Sequence, residues 1–329
     1  ERAAALGHYE RARRLLRSEL GVEPDPATGD LAEQIRQGKL TAHYAARPQR
    51  YHFPAQFTPF FGRAAETARL LERLSDPACR LLTLIAPGGM GKTRLAIAAA
   101  ETLGERPGFP DGIYFVPLAR LATSDLLPSA LATALGLNLS GAAEPAEQLA
   151  RFLHPRRALI VLDNFEHLLD GLDLLIRLLE AAPDARWLVT SRAALNIRAE
   201  ERFALGGLDA DAGRQLFTAA AARVVAGYQP DPADLAAIGD ICRAVGGMPL
   251  AVELAAAWTR LMDAPAIVAR IRHDLAFLTS DMRDMPERQR SMRVVFDHMW
   301  AQLSPLEATA LNRLSVLRGP FRLDAAEAI

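Results

Sequence analysis

Over the first forty residues the apolar positions recur every three or four places. Leu6, Tyr9, Ala12, Leu16 and Leu20 share one face of a helix predicted over 2–20, which Gly21 and Pro24 bring to a stop. A shorter helix is predicted over 26–37, with Asp25 as N-cap, Leu31 and Ile35 one turn apart and Gly38 at its end. Two helices of this size cannot bury a core alone, so residues 1–40 read as the end of a larger helical array. The period vanishes over 41–59, where Pro48, Pro54 and Pro59 stand among scattered aromatics, the pattern of a linker whose aromatics lie against the next domain. From residue 60 to 208 short apolar runs alternate with helical stretches. Strands are predicted over 81–85, 112–116, 158–162 and 187–190, and helices over 63–74, 92–103, 124–135, 145–153 and 172–181. That alternation is the signature of a parallel sheet with helices on both faces, an α/β architecture. Over 209–285 the strands stop and four helices are predicted, at 210–226, 232–245, 249–261 and 265–278, making a separate all-helical domain. Within 286–329 a helix carries Met292, Val295, Phe296, Met299, Trp300 and Leu303 on one face, and Ser304-Pro305 opens another that reaches Leu314.

Composition narrows the possibilities. With 329 residues, half of them hydrophobic, the chain can build two or three cores. A formal net charge of −1 supplies no global field for nucleic acid or an anionic membrane, and the arginines at 11, 13, 14 and 17 fall on a polar helix face that reads as solvated. Cys79 and Cys242 are too few and too far apart for a metal motif or a disulfide framework, which suits a reducing compartment. No run approaches the roughly 18 apolar residues of a membrane span, and the start at Glu1 has neither methionine nor a signal pattern, so the chain reads as a piece of a longer cytoplasmic protein. Of 38 basic residues only Lys39 and Lys92 are lysine, so a lysine in this sequence carries information.

Lys92 stands in the run Ala86-Pro87-Gly88-Gly89-Met90-Gly91-Lys92-Thr93, between a predicted strand and a predicted helix. Glycines there let successive backbone N–H groups turn inward as an anion nest, and the helix N-terminus adds about half a positive charge. The residues Pro87, Gly88, Gly89, Met90, Gly91, Lys92, Thr93 and Arg94 are therefore expected to hold the phosphates of ATP or ADP, with Lys92 as a compact charge on the outer phosphates and the Thr93 hydroxyl as a ligand of Mg2+. The usual run begins with glycine; Ala86 is tolerable there if its φ is negative.

A second constellation follows. The apolar run Leu159-Ile160-Val161-Leu162 ends in Asp163, a carboxylate placed to hold the Mg2+ shell opposite the phosphate loop. The next residue is Asn164, and an amide cannot accept a proton at neutral pH, which predicts slow or conditional hydrolysis; Glu166 is a possible substitute. The following strand ends Thr190-Ser191-Arg192, setting hydroxyls and a cation at the same edge, where Arg192 could sense a γ-phosphate. Lys92, Asp163 and Arg192 are thus the expected catalytic set.

Together these motifs resemble the NB-ARC module of the STAND class of signal-transduction ATPases, in its bacterial transcriptional-regulator branch of antibiotic-regulatory type. Phe60-Phe61-Gly62-Arg63 is similar to that family's entry motif, which implies that Arg63 lies near the nucleotide. Gly246-Gly247-Met248-Pro249-Leu250-Ala251 resembles its glycine–leucine–proline–leucine–alanine signature, with Met248 in place of leucine, and implies that Pro249 packs on the adenine. Asp163-Asn164-Phe165-Glu166-His167 resembles the version found in the bacterial branch. Residues 1–40 resemble the end of a bacterial transcriptional activator domain, a tetratricopeptide-like fold, and 286–329 the start of a winged-helix domain. The family's β-phosphate histidine would lie further along, so His298 is not given that role. The resemblance implies an adenine-nucleotide switch that self-associates with ATP and meets DNA only through a domain outside this segment. Two other readings remain beside it: a phosphotransferase acting on a small acceptor, and a scaffold whose nucleotide is never turned over.

Overall fold

The computed structural model describes residues 53–141, 143–279, 290–301, 303–317 and 322–329, with scattered positions before residue 40. Glu1–Arg50 and Tyr51–Ile329 are separate compact units. In the first unit the described positions 9–11, 13–14, 28–29 and 32–33 are helical. Most of the helices expected over 2–20 and 26–37, and the linker up to residue 52, lie outside the described residues, as does the His298 side chain. Residues 53–59 form neither helix nor strand. Phe53 meets Phe115 edge-on at 6.5 Å and joins the core below, whereas Phe57 is 91 % exposed.

The α/β part of the second unit runs α1 (Ala64–Ser75), β1 (Leu81–Ile85), α2 (Lys92–Gly104), β2 (Ile113–Pro117), α3 (Leu127–Leu135), α4 (Pro145–Leu153), β3 (Leu159–Asp163), α5 (Leu172–Ala181), β4 (Arg186–Ser191) and β5 (Glu200–Ala204). The five strands form one sheet in the order β2-β3-β4-β1-β5, and every pair is parallel. Because crossover helices cover both faces, the central strands are buried almost throughout and mostly apolar rather than alternating. On one face Leu82, Leu84, Val161 and Leu188 pack with Leu70 and Leu74 of α1 and Leu95 and Ala99 of α2. On the other Leu81, Ile160, Leu162 and Trp187 pack with Leu131 of α3, Leu149 of α4 and Leu178 of α5.

One strand departs from the expected set. β5 is Glu-Glu-Arg-Phe-Ala, and only Phe203 is buried. It is an edge strand, held by its backbone pairing to β1, so its hydrophobic signal is a single residue. The predicted helix over 124–135 also divides, opening as a 3-10 turn at Ser124–Leu126 before α3.

The helical domain follows as α6 (Ala210–Val224), α7 (Pro232–Ala244), α8 (Pro249–Ala257) and α9 (Ala264–His273). Asp209, Asp231 and Asp263 each cap the helix that follows by accepting backbone N–H bonds. Met248, before α8, provides no such cap. The predicted ends at 226, 261 and 278 run too far: α6 stops at Val224, and α8 and α9 give way to the short 3-10 turns Trp258–Arg260 and Leu275–Phe277. Residues 290–329 supply α10 (Met292–Trp300), α11 (Pro305–Leu314) and α12 (Leu323–Glu327), with Ser304 and Glu307 forming a capping box at the start of α11.

Besides apolar contacts such as Met248 on the sheet core and Phe61 and Leu208 on the helical core, the sheet domain and the helical domain meet at one crossing of bare backbone. Leu208 N–H donates to Gly247 O at 2.8 Å. A Cβ on Gly207 would stand 2.0 Å from Gly246 O, and one on Gly247 would stand 2.3 Å from Leu208 O. Only glycine allows this approach.

Candidate functional site

The strand order brings three carboxyl ends together. β4 lies between β1 and β3, so the end of β4 is flanked by the phosphate-loop run after β1 and by Asp163 at the end of β3. Ligands in such sheets bind at this edge. The loop leaves β1 at Ala86, which is buried, donates its N–H to Ser191 O at 3.3 Å and does not have a positive φ. Alanine is therefore unstrained in the position where glycine is usual. Gly89 and Gly91 do adopt left-handed backbone, at φ 80° and 86°, and Gly91 caps α2.

Lys92 Nζ donates to Ala86 O at 2.7 Å and Pro87 O at 3.1 Å, folding its side chain back over the loop. Burial pushes its ammonium below the ordinary lysine value, opposed by Glu166, with Arg192 adding to the downward push. Asp163 Oδ1 accepts from Thr93 Oγ1 at 2.6 Å and from Thr190 Oγ1 at 2.8 Å. Thr190 Oγ1 in turn accepts the Asn164 N–H at 2.8 Å. Burial pushes the Asp163 carboxyl above the usual aspartate range; the two hydroxyl donors and Lys92 oppose this, and Glu166 adds to it. Thr93 and Asp163 thus place two hard oxygen donors side by side beside an anion nest, a donor set that suits Mg2+ carried on a phosphate.

Asn164 has a left-handed backbone at φ 68°, and its amide nitrogen lies 3.3 Å from His167 Nδ1, whose Nε2 in turn lies 3.0 Å from Leu121 O. Glu166 forms an ion pair with Arg192, Oε1 to Nε at 2.9 Å, with side chains 7 % and 17 % exposed. This pairing joins the segments that follow β3 and β4 and leaves no periodic trace in the sequence.

One cavity gathers Gly88, Gly89, Gly91, Lys92, Thr93 and Arg94 with Asp163, Asn164, Glu166, Thr190 and Arg192. Its opposite wall is Pro249, Leu250 and Glu253 of α8, with Leu216 of α6 and Val295 of α10. Leu250 N–H donates to Gly89 O at 3.2 Å, so the uncapped start of α8 touches the loop directly and adds its positive end to the field there. The sequence marked Pro249 here but not the docking of α8. Arg94 lines the cavity, yet its guanidinium donates to Thr58 O and Pro59 O, tying the linker end to α2.

Arg63, Pro87 and Met90 are not brought to the cavity wall. Arg63 is buried, with its guanidinium on Gly206 O at 2.7 Å, Gly207 O at 3.3 Å, Met90 O at 3.4 Å and Glu66 Oε1 at 2.8 Å. It lies behind the loop and joins it to the crossing between the domains. Met90 is buried in the core under the loop.

The strand–loop–helix, the buried Asp163 opposite Thr93 and the parallel sheet define an AAA-type P-loop NTPase domain. Residues 76–196 match the AAA domain family, and residues 1–36 match the bacterial transcriptional activator domain. An uncharacterized protein of Mycobacterium tuberculosis is 33% identical over 276 residues, which are 83% of this chain and 69% of that one. A protein of the same organism named as an HTH-type transcriptional regulator is 36% identical over 76% of this chain and 28% of its own. The regulatory protein AfsR of Streptomyces griseus is 30% identical over 99% of this chain and 34% of its own. The chain therefore spans about a third or less of the length of the named regulators it resembles. It belongs to the same family as that uncharacterized mycobacterial protein, and it joins a segment matching the bacterial transcriptional activator domain to one matching the AAA domain, being similar to the named regulators over the spans matched. No helix among the described residues is long and apolar enough to cross a membrane.

Proposed function

We propose that this chain is the ATP/ADP-binding switch of a signal-responsive transcriptional regulator, with slow or conditional hydrolysis. The observation that carries the reading is the shared cavity: the phosphate loop, α8 of the helical domain and Val295 of α10 all face one space, and Leu250 N–H bonds the loop at Gly89 O. A nucleotide held there contacts every one of these parts, so its identity is linked to how they close. In the proposed working cycle Lys92 turns from Ala86 O and Pro87 O to the phosphates, Thr93 and Asp163 hold Mg2+, Pro249 meets the adenine, and Arg192 and the Thr190 edge read the γ-phosphate. Only a differential affinity shifts such an equilibrium: moving a two-state population from mostly closed to mostly open takes about 5 kcal/mol of preference for one nucleotide over the other. ATP-dependent self-association, action in the cytoplasm and DNA contact through a domain outside this segment belong to the same proposal.

The test is to purify the protein, denature it and identify what it releases, then compare ADP-loaded and ATP-loaded protein by small-angle scattering. Bound adenine nucleotide and a nucleotide-dependent change of shape are expected. Rapid phosphorylation of a small acceptor, or identical profiles with both nucleotides, would overturn the reading.

A further inference from the structure

Glu166 carries a feature that its ion pair does not explain. Oε1 is paired with Arg192 Nε, but Oε2 is buried and has no hydrogen-bond partner among the described residues. A buried carboxylate oxygen left without a donor is costly, so such an atom calls for a donor from outside the chain. Glu166 lines the same cavity as Lys92 and Asp163. Its position there is fixed: it sits on the 3-10 turn Phe165–His167, which is anchored by the fully buried Phe165. Its partner Arg192 borders the phosphate loop, since a Cβ on Gly88 would lie 3.9 Å from Arg192 Nη2. Asn164, at the position after the strand aspartate, is an amide whose nitrogen faces His167.

We propose that Glu166 is the water-activating carboxylate of this site, displaced three residues along the chain from Asp163 and aimed by Arg192. The proposal rests on the nucleotide reading above. A water donates to Oε2; its oxygen bonds to the γ-phosphorus as the bond from that phosphorus to the β,γ-bridging oxygen breaks. The bond's electron pair leaves on ADP, and the water's proton passes to Glu166 and then to solvent, giving ADP, inorganic phosphate and one proton. The carboxylate stands on a turn beyond the strand end rather than on the strand, which accords with slow turnover.

The experiment compares native protein with Glu166→Gln and Glu166→Asp. Binding of a fluorescent ATP analogue is measured first, then single-turnover hydrolysis. Glu166→Gln is expected to bind within about threefold of native and to hydrolyse on the order of 100-fold slower or more. Glu166→Asp, keeping a shortened carboxylate, is expected between the two. A crystal structure with a non-hydrolysable ATP analogue is expected to show an ordered water on Oε2. Native protein that binds ATP but hydrolyses it no faster than Glu166→Gln overturns the proposal, as does a complex with no water at Oε2. Native protein that binds no adenine nucleotide overturns instead the reading on which the proposal stands.

Discussion

The two walls of the cavity are built on opposite plans. On the sheet side, buried polar groups are bonded to one another: Asp163 to Thr93 and Thr190, Thr190 to Asn164, Glu166 to Arg192. On the helical side the contacts are backbone and apolar, with Leu250 N–H on Gly89 O, Pro249 near Gly91, and glycines crossing at Gly207 and Gly247. The sheet side holds charge in fixed geometry, which a motif can encode residue by residue. The helical side sets distance, and distance is encoded mainly by what is missing: side chains at the crossing and a side-chain cap on α8.

The largest effect is expected where the helical side has no tolerance. Gly207→Ala puts a Cβ into the Gly246 carbonyl, and the domains must part; a loss of about 3 kcal/mol and a fall of about 5–10 °C in apparent melting temperature are expected by calorimetry. If stability were unchanged, the crossing would not hold the domains as described. Lys92→Ala acts on the other wall. It is expected to weaken nucleotide binding on the order of 100-fold by titration calorimetry while leaving the fold intact. Undiminished bound ADP in that variant would remove the phosphate-loop assignment.

The third effect sharpens the electrostatic side. With the Asp163 carboxyl pushed up by burial, the free protein keeps its proton to a higher pH than an ordinary aspartate. Mg2+ needs the ionised form, so binding Mg-nucleotide must expel that proton as the pH falls through the raised value. Affinity is then expected to drop by about tenfold per pH unit in that window, and to be constant above it. Asp163→Asn should flatten the profile; a profile unchanged by that substitution would show that Asp163 is not the titrating group. Smallest is Pro249→Ala, which trims an apolar contact and is expected to reduce adenine-over-guanine discrimination about fivefold, measured by competition. Unchanged discrimination would take the base away from α8 and leave that wall as a spacer.

This contrast also separates what could be read from the chain. The strands β1 to β4, the phosphate loop and Asp163 were legible because each is a local pattern: an apolar run, a glycine-rich turn, an acid at a strand end. β5 was not, since an edge strand with one buried side chain has no hydrophobic period. The strand order was hidden too, because parallel crossovers of similar length fit several orders, and with it went the Glu166–Arg192 pair that the order creates. For Arg63 the resemblance implied a place near the nucleotide, and its guanidinium bonds the loop carbonyl of Met90 and the crossing at Gly206 O. A lone arginine has no signature of what it will face.

The crossing at Gly207 and Gly247 has a further consequence. Because the two segments touch through main chain alone, no side-chain shape is shared across that joint. Substitutions that keep these two positions bare can therefore change side chains elsewhere in the helical domain without disturbing this backbone crossing.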